Sequence, residues 1–388
     1  LTDNSIHRND VAGLLGAMVG IPSVNPSFQQ QDRPADWFGE AKLAAFILDW
    51  LTMAGIEARL DEASPGRPNV VARLAGPPGA PSMLWEGHTD TVQVEGMDAP
   101  FAARIEGARL YGRGAVDDKA CLAMFMLAMR ALKRRGAACD LTFLAAVDEE
   151  VSSRGALHHV AHHGPYDLGI AGEPTGLAVL RASKGAVRFV VEAKGKAAHA
   201  STPEHGVDAL LACADLHRHL DAYIRSTGAA HPLLGRRTLT CTMMRAGEGA
   251  NTVPAYAAMT FDFRTLPDQT GAEAFDEIAA VVRSFGDNHP CGAEFVVNRP
   301  FIDHPSMETP EGANIVKALC AALERCGTRA VVAGAPFGSD ASRLARAGTP
   351  CVVFGPGRIE HAQSKDEHVD LDEVARGANV LTELAAGL

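Results

Sequence analysis

Leu84-Trp85-Glu86-Gly87-His88-Thr89-Asp90-Thr91-Val92 is the stretch from which the rest of the chain is read. Met83 to Trp85 is a short apolar run that suits a buried strand end. Gly87 then frees the backbone, and a His and an Asp follow two residues apart. Side chains alternate in an extended chain, so His88 and Asp90 share one side. That suits an imidazole ligand backed by a carboxylate. His-x-Asp alone is a weak signal, because a surface pair has the same sequence. The acids that recur downstream decide how much it means.

Outward from this stretch, strands and helices alternate. The patterning predicts helices over 6–19, 40–53, 118–135 and 154–163, and strands over 56–60, 69–74, 82–86, 141–147 and 168–171. The helix over 118–135 is bounded by Lys133-Arg134-Arg135-Gly136, cations that suit its negative end and a Gly that suits its stop. Alternation of this kind implies a largely parallel sheet, whose ligands sit beyond the C-terminal strand ends. After about Arg181 the order changes. Strand 186–194, helix 206–224, strands 238–245 and 256–264, helix 271–284 and strand 293–298 give β-α-β-β-α-β, the ferredoxin-like order. The first pattern resumes with helices 311–325 and 339–347, strand 350–354 and a helix from 371. The expected fold class is therefore α/β, with a discontinuous main domain over 1–181 and 299–388 and an inserted α+β domain over 182–298.

The polar residues fall where such a sheet would bind. His88 follows one strand, Asp148-Glu149-Glu150 a second and Glu173 a third, while Asp117-Asp118 opens a helix. With these strands parallel, all face one crevice, where the carboxylates repel unless cations hold them. Each has a plainer reading: a helix cap for Asp117 or Asp118, a solvated loop for Glu149 and Glu150, turn chemistry for Glu173 before Pro174. Their common placement at the ends of one sheet favours a site. Leu157-His158-His159-Val160-Ala161-His162-His163 also spaces histidines four apart on a helix. It lacks the Glu of a His-Glu-x-x-His site and lies apart from these acids in sequence, so it is read as structural.

The 388 residues allow two domains, and 47% apolar content allows a substantial core. The formal net charge of −11 argues against nucleic acid as a partner. No apolar run has the length of a membrane helix, and Leu1-Thr2-Asp3-Asn4-Ser5 is not a basic-then-apolar signal. Eight scattered cysteines (Cys121, Cys139, Cys213, Cys241, Cys291, Cys320, Cys326, Cys351), none in Cys-x-x-Cys, read as mostly buried free thiols. The expected location is the cytoplasm.

Gly87-His88-Thr89-Asp90-Thr91-Val92, Tyr111-Gly112-Arg113-Gly114-Ala115-Val116-Asp117-Asp118-Lys119, Asp148-Glu149-Glu150 and Gly172-Glu173-Pro174 occur in this order. Together they resemble the dinuclear zinc amidohydrolases of the M20 peptidase family, of the acetylornithine deacetylase and succinyl-diaminopimelate desuccinylase kind. The resemblance implies a zinc-peptidase α/β/α catalytic domain with an inserted dimerisation, or lid, domain. It implies two zinc ions per subunit, with cobalt or manganese as substitutes. His88, Asp117, Glu150 and Glu173 would be metal ligands, Asp117 bridging. Asp90 would orient His88, and Glu149 would be the general base. In the insert, Gly195-Lys196-Ala197-Ala198-His199-Ala200-Ser201 resembles the segment whose His reaches the partner subunit's site, which makes His199 an oxyanion stabiliser. Gly247-Glu248-Gly249-Ala250-Asn251 and Asp262-Phe263-Arg264 also match, so Asn251 and Arg264 would grip a substrate carboxylate. Gly338-Ser339-Asp340 resembles a further substrate-side loop.

The chain departs from this pattern once. The last ligand is a His four residues before an acid, and counting back from Glu367 lands on Gln363, whereas His361 lies two residues earlier. Imidazole is the better zinc ligand, so His361 is the expected one. The reading that results is a homodimeric, zinc-dependent deacylase of N-acyl amino acids. Its rivals are a dipeptidase or carboxypeptidase with the same residues, and a non-catalytic binding protein on the same scaffold.

Overall fold

Strand Ser82–His88 lies inside the sheet of the first of two units, in a computed structural model that describes residues 5–94, 96–290 and 292–388. Cys291 and the segment Leu1 to Asn4 lie outside the described residues. Neighbours in the sheet run Glu57–Ser64, Arg67–Leu74, Asp140–Ala146, Ser82–His88, Leu168–Ala171, Cys351–Val353, Val179–Ser183. The middle four are parallel. The flanking pairs are antiparallel. The expectation of a largely parallel sheet therefore holds for the centre only. The first two strands are joined by Pro65-Gly66, with Gly66 at φ +73°, and a turn that short can return the chain only antiparallel.

Helix Lys119–Arg135 is the hub of the first core. Every residue from Lys119 to Met129 is buried, so no face of the helix start is left for water. Phe125 stacks on Trp85 with ring centroids 5.7 Å apart, which presses the helix onto Ser82–His88. Helices Arg8–Val19 and Leu371–Ala386 pack on the same helix. The helix thus begins directly under the C-terminal ends of the parallel strands.

The second unit comprises Ala182–Glu308 with Gly334–Gly338. Its strands run Thr238–Ala246, Tyr256–Arg264, Ala186–Lys194, Glu294–Val297, all antiparallel. With helices Ala209–Ser226 and Gly271–Asn288 this is the ferredoxin-like order. Val187, Phe189, Val191 and Ala193 alternate inward against Cys213, Leu216, Leu220, Ile278 and Val282. A short strand, Ile302–His304, adds to Ala186–Lys194. The described cysteines are free; four of them are buried and Cys241, Cys320 and Cys326 are half-buried. Among the described residues no helix is long and apolar enough to cross a membrane.

Candidate metal centre

The parallel strands deliver the acids to one place. The Nε2 of His88 lies 3.0 Å from Asp117 Oδ1. Ligand atoms of His88, Glu149 and Glu173 lie within 4.8 Å of one another. The carboxamide of Gln363 lies 3.4 Å from Asp117 Oδ2 and 3.1 Å from Glu150 Oε2. Asp117 therefore turns one oxygen to His88 and the other to Gln363. His88, Asp117 and Glu173 are buried, whereas Glu149 and Glu150 are half-buried.

The supports are equally local. The Nδ1 of His88 lies 3.0 Å from the Asp90 carbonyl oxygen, with the Asp90 carboxylate at 3.6 Å. Asp90 thus orients His88 mainly through its backbone. Its carboxylate accepts the backbone N–H groups of Glu149 at 3.0 Å and Glu150 at 3.2 Å, which fixes the turn that carries both. Asn25 donates to Asp90 at 2.7 Å and to Asp148 at 2.9 Å. Asp118 is not turned to the cluster: its Oδ2 accepts the His88 backbone N–H at 3.1 Å. Gly87 and Gly172 let the strands close on that carboxylate. A Cβ on Gly87 would meet Asp118 Oδ2 at 2.7 Å, and one on Gly172 would meet Cys121 Cβ at 2.6 Å.

Asn25, Arg67 and Glu367 were missed at the sequence level. Arg67 bonds Asp148 at 2.8 Å and pairs with Glu40. Glu367 accepts the N–H groups of Val116 at 3.1 Å and Asp117 at 3.3 Å and pairs with Arg113. The only sequence signal for Glu367 was its distance from the loop ligand. Nothing local marks Asn25 or Arg67, whose partners lie far along the chain.

One expectation is corrected. Gln363, not His361, faces Asp117 and Glu150. His361 ends a short 3-10 turn, Ile359–His361, and its ring stacks on His368 at 4.3 Å. The chain then turns through Gln363 at φ +57°, which brings the carboxamide round to the acids. The position four residues before Glu367 is thus the one that faces the acids, and it is a Gln.

His199, Asn251 and Arg264 belong to the second unit. His199 is exposed, bridges Thr252 and has its Nδ1 2.8 Å from Ser201 Oγ. The Ala200 N–H donates to the Asn251 carbonyl at 2.9 Å, so His199 and Asn251 are neighbours. Arg264 is tied to Asp262 at 2.6 Å. Asp340, in the first unit, is buried, and burial pushes its carboxyl up to about 6.

The charges do not balance within the protein. Burial first, then the Asp117 carboxylate, raises Glu150 and Glu173 well above the usual carboxylate range. Burial also raises Glu149, against the pull of His88. Burial opposes a charge on His88, yet its bonds to Asp117 and Asp90 hold its proton affinity well above the ordinary value. Arg67 is committed to Glu40 and Asp148, and Arg113 to Glu367. A cluster of acids that hold protons this firmly fits metal cations, with imidazole and carboxylate as donors.

The chain matches peptidase family M20/M25/M40 over residues 84–387. It belongs to that family. As an M20 protein it is a metal-dependent hydrolase. It is 27% identical over 362 residues to acetylornithine deacetylase of Aliivibrio salmonicida, covering 89% of this chain and 91% of the relative. It is 29% identical over 342 residues to a putative [LysW]-lysine/[LysW]-ornithine hydrolase of Aeropyrum pernix, covering 88% and 89%. In fold it resembles aminopeptidase PepT of Bacillus cereus, with TM-score 0.78 at 20% identity over 98% of both chains. It also resembles the YXEP protein of Bacillus subtilis, a dinuclear metal-binding M20 peptidase, with TM-score 0.72 at 18% identity over 98% of this chain and 97% of that one.

Proposed function

We propose that this M20 protein hydrolyses the amide bond of an N-acyl amino acid at a two-ion centre that holds zinc. The observation that carries the reading is Glu149. Its carboxylate stands beside His88 and Glu173, while Asp90 holds its backbone N–H. Bound ions would polarise the scissile carbonyl and acidify the attacking water. His88, Asp117, Glu150 and Glu173 would hold them. Glu149 takes the proton of that water and delivers it to the leaving nitrogen. A binding protein has no use for such a base.

The deacetylase relatives support an N-acyl amino acid as substrate. The peptidases of like fold keep a dipeptidase or carboxypeptidase in view. Hydrolysis rates of metal-loaded protein on N-acetyl, N-succinyl and N-formyl amino acids, set against dipeptides, separate the two. Faster turnover of the dipeptides sinks the deacylase reading, and no turnover of either class sinks both substrate readings. Asn251 and Arg264 are proposed to hold the substrate carboxylate, Arg264 by exchanging Asp262 for it.

We also propose a homodimer through the edge strand Thr238–Ala246, where Met243 is 48% and Met244 40% exposed. His199 would then act on the partner's substrate as an oxyanion donor. Inactive His199→Ala mixed with inactive Glu149→Ala should regain activity through heterodimers; no recovery after demonstrated subunit exchange removes that role. The free thiols support the cytoplasm as the compartment.

A further inference from the structure

We infer that the centre has two unequal halves: one holds zinc tightly, and the other is an oxygen-only, readily exchanging site that prefers a hard ion such as manganese. The inference rests on the reading of the cluster as a two-ion site. The first half offers His88 Nε2, Glu173 and Asp117 Oδ1, all from buried residues. The second offers Asp117 Oδ2, the Glu150 carboxylate and the Gln363 carboxamide. It contains no imidazole among the described residues. His361, the nearest one in sequence, is stacked on His368.

Donor type separates the halves. An imidazole with carboxylates suits zinc, whereas carboxylate, carbonyl and water oxygens suit magnesium or manganese. Gln363 now faces the acids through Nε2, and turning the amide over presents Oε1 to an ion instead. That oxygen is neutral and carries no lone pair as strong as that of an imidazole nitrogen. Access also differs. Gln363 is exposed and Glu150 half-buried, so water reaches the second half and its ion exchanges more readily. A register in which a neutral amide faces two carboxylates leaves the second ion held by charge, with little contribution from donor strength.

The test counts metal and needs no activity. Metal-free protein is loaded with excess zinc chloride, dialysed and analysed, then titrated with manganese chloride and followed by the electron spin resonance of free manganese. Wild type should keep one zinc per chain, with the second zinc bound at least about 100-fold more weakly, since even lesser changes around metal ligands cost 10–100-fold. Manganese should then bind as a second ion without displacing the zinc. Gln363→His should keep two zinc ions per chain through the same dialysis. Two zinc ions of like affinity in wild type would overturn the inequality without any variant. So would a folded Gln363→His protein that still keeps only one. Wild type that keeps no zinc would instead overturn the two-ion reading itself, and the inference with it.

Discussion

Two clusters in the first unit have the side chains of a metal site, and they differ in charge. Around His88 there are at least four carboxylates for one imidazole, and the nearby guanidinium groups are spent on Glu40, Asp148 and Glu367. Beside helix Arg154–His162, ligand atoms of Asp61, His159 and His163 also lie within 4.8 Å of one another. There, a single carboxylate has the His158 ring at 3.3 Å, and Arg59 stands 3.3 Å from His163 Nε2. Burial pushes His159 down to about 4, so it is neutral at pH 7, and its Nε2 lies 2.8 Å from the Tyr166 hydroxyl. One feature there favours an ion: Asp61 Oδ2 and His159 Nδ1 are buried without a hydrogen-bond partner. The lesson is that ligand residues at metal spacing do not distinguish the clusters. Uncompensated buried charge does, because only the first cluster has a debt of positive charge that a cation meets.

The largest effect expected from this contrast is on turnover. Glu149→Ala should lose about 10²–10⁴ or more in turnover, the range for a positioned general base, while metal content stays near that of wild type. Near-normal turnover would remove Glu149 from the chemistry. Loss of metal together with turnover would make it a ligand.

Metal removal should come next in size. If ions balance the His88 cluster, chelation should lower the melting temperature, and zinc should restore it. A ligand at 100 times its dissociation constant stabilises by about 2.7 kcal/mol. His88→Ala should abolish most of that recovery, and Asp117→Asn should weaken both ions because each Asp117 oxygen serves a different half. A melting temperature indifferent to chelation would mean that the acids are neutralised by protons, as their raised affinities permit.

What the sequence made legible follows from where each interaction sits. Helix Lys119–Arg135 and strand Leu168–Ala171 were readable because their apolar periods are local. The antiparallel flank is marked in the sequence by the Pro65-Gly66 turn between its first two strands. His88, Asp117, Glu149, Glu150 and Glu173 each follow a strand or open a helix, so the sheet alone gathers them. The supports that set them differ in kind. Asn25 reaches Asp90 and Asp148, and Arg67 reaches Glu40 and Asp148, across separations that no short motif spans. The 361–363 loop failed for another reason. Donor strength favoured His361, but backbone register decides which side chain faces the acids, and one left-handed residue sets that register.

The smallest effect falls on the other cluster and is a pH dependence of stability. His159 is lowered in the folded protein from about 6.5 to about 4, chiefly by burial and then by His163. Between those values the unfolded chain binds a proton that the folded chain refuses. Stability from this group is therefore complete above pH 6.5 and is lost as pH falls towards 4, by roughly 2–3 kcal/mol at most. His159→Gln removes the titrating ring and keeps an amide that can bond Tyr166. Between pH 7.5 and 4.5 the unfolding free energy of wild type should fall relative to that of His159→Gln by roughly 2–3 kcal/mol, because the ionisations of the His88 cluster are common to both and cancel in the difference. Zinc content of the two should be equal. Parallel curves would show that His159 is already charged or already bound to something. One ion fewer per chain in His159→Gln would show that the helix cluster holds a cation after all, through the Asp61 and His159 atoms that lack partners, and charge imbalance would then no longer be what separates the two clusters.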